Sequence, residues 1–175
     1  MRAIVDTNVI LVANGAHDDV TDECRDACAE MLLALTRGGR VLIDDANEIV
    51  DEYLHKSEPH KGQRLGDAFL KWLLNNQGNR NRVERVPLTR TAGGSYAEVD
   101  ALEVPLTLDP SDLKFVAVAA AANQSTPILQ ASDSKWLDWW PELSMVGIEV
   151  KFLCPDDIAR FHRRKYPKRV PPQLP

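Results

Sequence analysis

The sequence lacks any apolar run near the ~18–20 residues that a membrane span needs, so no transmembrane segment is expected in its 175 residues. Its opening, "MRAIVDTNVI", shows no basic leader, apolar core and small-residue cleavage site, so no secretion signal is expected and the cytoplasm is the expected location. Cysteine is scarce: Cys24, Cys28 and Cys154 are odd in number and contain no CxxC. They read as buried thiols acting as small hydrophobes, and only His17 lies near enough in sequence to add a zinc ligand. No G-x-S-x-G and no Walker-type glycine loop occurs, and His17, His55, His60 and His162 fall into no Ser/His/Asp or Cys/His arrangement. Positive charge is in deficit too. A net charge of −5 argues against a broad nucleic-acid-coating protein.

What is present suits one soluble domain with a real core: 44% hydrophobic and 27% charged residues. "RAIVD" and "RVLID" read as strands, "RVERV" as a short or edge strand, and "PILQ" and "GIEVKFL" as later strands. Between them Cys24, Ala27, Cys28, Met31, Leu32 and Leu35 recur at helical spacing up to Gly38-Gly39. Ile49, Val50, Tyr53 and Leu54 mark a second helix, and Leu65, Phe69, Trp72 and Leu73 a third. "LDPSDLKFVAVAAAANQ" predicts a buried helix, apolar nearly all round, and "PDDIARFHRRK" a terminal one. The stretch from Pro87 to Pro105 shows no period. Strands alternating with helices imply an α/β fold, a three-layer Rossmann-like arrangement with a central, mainly parallel sheet. A single domain over 1–165 is expected, followed by a proline-rich basic tail over 166–175.

In such sheets ligands bind beyond the carboxyl ends of the strands. Asp6 follows the first strand, Asp133 follows "PILQAS", Asp44 and Asp45 close the second strand, and Asp109 and Asp112 open the buried helix. Two like charges ~4 Å apart repel by about 4 kcal/mol at an effective dielectric of 20. A cluster of three or four must share protons or bind a cation. Oxygen-only ligands favour Mg2+ or Mn2+, and a divalent ion there suits phosphodiester hydrolysis. Each acid also has a structural reading. Asp45 and Glu48 fit a capping box. Asp109 can cap, with Pro110 at the first helical position and Asp112 in the first turn. Glu52 lies at one border of the second helix's apolar stripe and Asp51 at the other.

The order of these acids resembles the PIN-domain ribonucleases. "AIVDTNVI" is similar to their opening strand and Asp-(Thr/Ser)-Asn, with Asp6, Thr7 and Asn8. "EIVDEYL" offers Glu52-Tyr53, "DLKFVAVAAA" offers Asp112 before an Ala-rich helix, and "PILQASD" offers Ser132-Asp133. The resemblance covers roughly Arg2 to Phe161. It implies that Asp6, Glu52, Asp112 and Asp133 bind one or two Mg2+ or Mn2+ ions and carry the catalysis. Thr7, Asn8 and Ser132 would support them or the substrate. Glu48 is the alternative second acid; Glu52 is favoured because Tyr53 follows it and Glu48 has a cap to serve.

The function this implies is metal-dependent endonucleolytic cleavage of single-stranded RNA, by the toxin of a toxin–antitoxin pair or by an RNA-processing enzyme. Expected partners are the RNA and, for a toxin, a protein antitoxin; a homodimer is implied by the resemblance alone. In the tail, Arg160, Arg163, Arg164 and Lys165 with Phe161 and Tyr166 between them suit phosphate contacts and base stacking. Lys56, His60, Lys61 and Arg64 form a second basic cluster. Trp136, Trp139 and Trp140 read as a core or interface plug. Two rival functions stay open: a non-catalytic PIN-like module that binds RNA or protein, and a haloacid-dehalogenase-type phosphatase. The latter would want a second Asp where Asn8 stands.

Overall fold

The computed structural model describes residues 1–60, 63–103 and 107–174. Three short apolar segments form the centre of the fold. Ala3-Ile4-Val5, Val41-Leu42-Ile43 and the Ile128-Leu129 pair are all fully buried, as expected for strands covered on both faces. They belong to β1 (Arg2–Val5), β2 (Arg40–Asp44) and β4 (Ile128–Gln130). With β3 (Val83–Val86) and β5 (Val150–Phe152) they make a five-stranded sheet in the order β3-β2-β1-β4-β5. Every pairing is parallel, with Ala3 beside Val41 and Ile4 beside Ile128. "RVERV" is thus an edge strand.

The chain winds outward from β1 to β3, then crosses back to place β4 on the other side of β1. The reversal falls between β1 and β4, the place where α/β sheets of this kind open a crevice. The helices are α1 (Thr7–Ala13), α2 (Asp22–Gly38), α3 (Glu48–Lys56), α4 (Leu65–Asn76), α5 (Ala97–Asp100), α6 (Leu113–Ala121), α7 (Lys135–Met145) and α8 (Pro155–Lys165). Helices α1, α2 and α4 pack on one another, α6 packs across β1, β2 and β4, and α7 packs on β5; the right-handed rule for parallel crossovers sets these two groups on opposite faces of the sheet. The result is the three-layer, Rossmann-like α/β architecture expected. Beyond Lys165 the described residues, to 174, hold no helix or strand.

Several local expectations are corrected. Residues 7–13 are helical: Asp6 caps α1, whose buried Val9, Ile10 and Val12 leave little polar face to betray a helix. The Asp45–Glu48 capping box does not form. Asp44 instead accepts from the Glu48 and Ile49 amides, both at 2.8 Å, because Asn47 turns the chain in the left-handed region at φ 68°. Asp45 is left to accept from the Leu88 amide at 3.3 Å. Asp109 does not cap either; α6 starts three residues after Pro110, at Leu113, with Asp112 as its N-cap residue. Leu54 and Leu65, read as stripe residues, are exposed. Of the tryptophans, Trp136 is fully buried, while Trp139 and Trp140 are half-buried against the core.

The cysteines also depart from expectation. Cys24 and Cys154 form a disulfide, and only Cys28 is a free, buried thiol. The two partners are 130 residues apart in sequence, and they meet because the β5–α8 junction lies against the first turn of α2.

Gly66 shows how closely α4 sits on α1. A Cβ there would meet the Ile10 carbonyl oxygen and lie 2.7 Å from the Asn14 side-chain oxygen. Gly66→Ala should therefore cost about 1–3 kcal/mol. A melting temperature unchanged within a degree would show that α4 can shift to make room.

Candidate active site

Asp6 is held by the sheet and by α1 together. Its amide donates to the Leu129 carbonyl at 3.0 Å, continuing the β1–β4 ladder one step past the strand. Its carboxylate accepts from the Asn8 amide at 2.7 Å, the N-cap bond of α1. The side chain is therefore fixed at the carboxyl end of β1, at the switch point, and the residue is only 4% exposed.

Three other acids act on it. Burial pushes the Asp6 carboxyl up to about 8, opposed by the Asn8 amide and reinforced by Asp112, Asp133 and Glu52. These are the four carboxylates that the sequence pattern singles out, contributed by β1, α3, the start of α6 and the β4–α7 loop. Asp112 is likewise raised, by burial first, with Lys135 opposing and Asp133 and Asp109 adding.

The polar neighbours connect these elements in pairs. The Thr7 hydroxyl donates to Glu52 at 2.6 Å, joining α1 to α3. The Asn8 side-chain oxygen accepts from the Ser132 amide at 2.7 Å and its hydroxyl at 3.1 Å, joining α1 to the β4–α7 loop. The Asn8 side-chain nitrogen, Nδ2, lies 3.3 Å from His17 Nε2. Tyr53, fully buried, donates its hydroxyl to the Val5 carbonyl and so anchors α3 beneath the site. Asp133 accepts from the Lys135 amide at 3.1 Å, turning the loop into α7.

Glu52 and Glu48 occupy different surroundings. Glu52 faces Thr7 and the buried Lys114. Glu48 is taken up by Arg90 and by the Tyr96 hydroxyl, the latter at 2.8 Å. Although partial burial raises it, these two hydrogen bonds hold the Glu48 carboxyl below its ordinary value.

Two lysines that sequence reasoning passed over supply the positive charge. Lys114 Nζ donates to Glu52 and to the Ser111 carbonyl. Lys135 Nζ reaches Asp109 at 2.6 Å, Asp112 at 2.9 Å and Asp133 at 3.3 Å. Burial works against the Lys135 ammonium, but the bonds to Asp109 and Asp112 and the charge of Asp133 outweigh it and keep it protonated. Both lysines stand two residues after a site acid, as Asp112-Leu-Lys114 and Asp133-Ser-Lys135. That repeated spacing was the available signal.

The donor set is entirely oxygen, which suits a hard divalent ion. With Lys135 spread across three acids, no three of these carboxylates bring an oxygen apiece within 4.8 Å of one another; among the described residues only the three cysteine sulfurs are that close. Asp6, Glu52, Asp112 and Asp133 are the oxygen donors at this edge that could hold such an ion.

The basic helix α8 is fastened to the α1–α2 connection. Asp157 of α8 accepts from the Thr21 hydroxyl at 2.7 Å, and Arg164 pairs with Asp19 at 2.9 Å. Asp19 and Thr21 lie in the α1–α2 connection that also brings His17 to Asn8. Arg160 is bound to Asp157, whereas Arg163 and Lys165 have no carboxylate partner among the described residues. The aromatics are already covered by cations: Arg160 and Arg164 lie over Phe161 at 4.8 and 5.1 Å, and Lys165 and Arg169 over Tyr166 at 5.3 and 4.9 Å. In the second basic cluster Arg64 pairs with buried Asp67 at 2.8 Å, and Lys61 lies outside the described residues. No helix among the described residues is long and apolar enough to cross a membrane.

No family model matches the chain, and no curated protein or solved structure matches it either. The functional reading therefore rests on the residues themselves.

Proposed function

We propose that this protein is a Mg2+- or Mn2+-dependent endonuclease of the PIN-domain type that hydrolyses phosphodiester bonds in single-stranded RNA. The observation that carries the reading is the state of Asp6. It is a nearly buried carboxylate at the switch point of a parallel sheet, and Asp112, Asp133 and Glu52 all press on its charge. Such a group must keep a proton or meet a cation.

A divalent ion held by Asp6, Glu52, Asp112 and Asp133 would supply an acidified water and offset charge on the phosphate. The protein's own residues supply the placement. Asp6 is oriented by the Asn8 amide, Glu52 by the Thr7 hydroxyl, and the Ser132–Asn8 bonds hold the Asp133 loop against α1. Lys135 adds a positive charge at the mouth of the cluster, where it is 24% exposed and open to an anionic backbone. Arg163 and Lys165 on α8 favour approach of a polyanion to an acidic protein.

The test is cleavage of a labelled single-stranded RNA with Mn2+ or Mg2+, with and without EDTA, beside Asp133→Asn. Expected is internal cleavage that EDTA stops and that the variant loses by about 100-fold or more, since even outer partners of metal ligands are worth about 10–100-fold. Tight RNA binding without cleavage in either metal would establish a binding module instead. Turnover of a phosphomonoester but not of RNA would establish a phosphatase.

A further inference from the structure

Away from the carboxylates, three sulfurs meet where α8 joins α2. Cys24 lies in the first turn of α2 and is bonded to Cys154, the residue that leads into α8. Cys28, one turn further along α2, is fully buried and places its Sγ 3.8 Å from that of Cys154. All three sulfurs lie within 4.8 Å of one another, and among the described residues no His, Asp or Glu atom joins the group.

We propose that, once the disulfide is reduced, Cys24, Cys28 and Cys154 form a three-coordinate thiolate site for a soft monovalent cation, Cu+. In a reducing compartment the bond opens: a dithiol gives two electrons and two protons to the Cys24–Cys154 disulfide and is itself oxidised to a disulfide. Cu+ then replaces thiol protons, which pass to solvent.

Three observations select this ligand class. Sulfur-only donors favour soft ions such as Cu+ over the hard ions suited to the carboxylate edge. Zn2+ wants a fourth ligand, and among the described residues no fourth side chain joins the sulfurs, while the cysteines are at most 3% exposed. With metal–sulfur bonds of about 2.3 Å, the sulfurs of a planar three-coordinate site stand about 4 Å apart; the Cys28–Cys154 separation of 3.8 Å already has that size, while Cys24 and Cys154, 2.01 Å apart in the disulfide, have to separate on reduction.

The surroundings suit thiolates that are paired with a cation and not bare ones. Cys28 is fully buried, so a bare thiolate there would go unsolvated and a bound cation would take the proton's place. Metal and disulfide are thus alternative staples for the same joint between α2 and α8.

The test uses the full-length protein, reduced with a dithiol and desalted without oxygen. It is titrated with Cu+ against a chromophoric Cu+ chelator, beside Cys28→Ala, Cys28→Ser and unreduced protein, with folding of each checked by circular dichroism. Expected are one equivalent of Cu+ and a near-ultraviolet thiolate-to-copper band in reduced wild type. Loss of a direct ligand in either Cys28 variant should weaken binding by no less than the about 10–100-fold typical of outer partners. The unreduced protein should not compete for the ion. Equal Cu+ affinity in a folded Cys28 variant, or tighter binding of Zn2+ than of Cu+ by the reduced wild type, would overturn the proposal. Neither result bears on the carboxylate site.

Discussion

Asp6→Asn is expected to abolish metal-dependent RNA cleavage, by about 100-fold or more, and at the same time to raise the stability of the metal-free protein at pH 8. The asparagine keeps an oxygen to accept from the Asn8 amide, so the cap of α1 survives. What disappears is the ionisable group. An aspartate ordinarily titrates near 3.8, whereas Asp6 in the fold is raised to about 8. Below the ordinary value both folded and unfolded chains are protonated, and the group has no effect on stability. Between there and about 8 the unfolded carboxyl loses its proton while the folded one keeps it, so stability falls as pH rises; above about 8 the loss is complete. The variant should lack this slope. Its melting temperature in EDTA should exceed that of wild type at pH 8 by at least about 5 °C, at roughly 2–4 °C per kcal/mol for a chain this size. Parallel pH profiles for the two proteins would show that Asp6 is not held in this strained state of charge.

Lys135→Met has the second large effect, and it separates the ammonium's role from that of a metal. Among the described residues Lys135 alone bridges Asp109, Asp112 and Asp133, at 2.6, 2.9 and 3.3 Å. Without it the acids face each other uncompensated, with a repulsion of up to about 4 kcal/mol for a pair ~4 Å apart at an effective dielectric of 20. The exposure of Asp109 and Asp133 screens part of this. In EDTA the variant should melt several degrees below wild type, and saturating Mn2+ should restore more of its stability than it adds to wild type. Calorimetric titration should show tighter Mn2+ binding, by about tenfold for each 1.4 kcal/mol of relieved competition. Identical Mn2+ affinities would mean that Lys135 and the ion do not share ligands.

Much of the framework was legible in the residues because it is local. Buried parallel strands are apolar without a break, and β1, β2 and β4 carry that run at Ala3–Val5, Val41–Ile43 and Ile128–Leu129, whereas the edge strand β5 is broken by exposed Lys151. Helices α2 and α8 announce themselves by period and by their charged ends. The misreadings also have local causes. In α1, four of seven residues are buried, including Thr7, and so no amphipathic period is visible. Asp44 and Asp45 are equivalent as letters, and only the left-handed turn at Asn47 decides which carboxylate meets the α3 amides. Lys114 and Lys135 were readable as a repeated Asp-x-Lys spacing, but that spacing acquires meaning only beside other acids.

Asp6 at the end of an apolar strand, with Asn8 two residues on, is a property of the sequence by itself. So are the order of the later acids and the α/β alternation that carries them. The tertiary structure decided which groups share a field. Asp6 and Asp133 are far apart along the chain and become neighbours only because the chain reverses its winding and sets β4 against β1. It also chose Glu52 for Thr7 and Glu48 for Arg90, placed Lys135 among three carboxylates, and brought Cys154 to Cys24 and Cys28. Charge repulsion, burial and sulfur contact all depend on distance through space, and distance along the chain does not encode it.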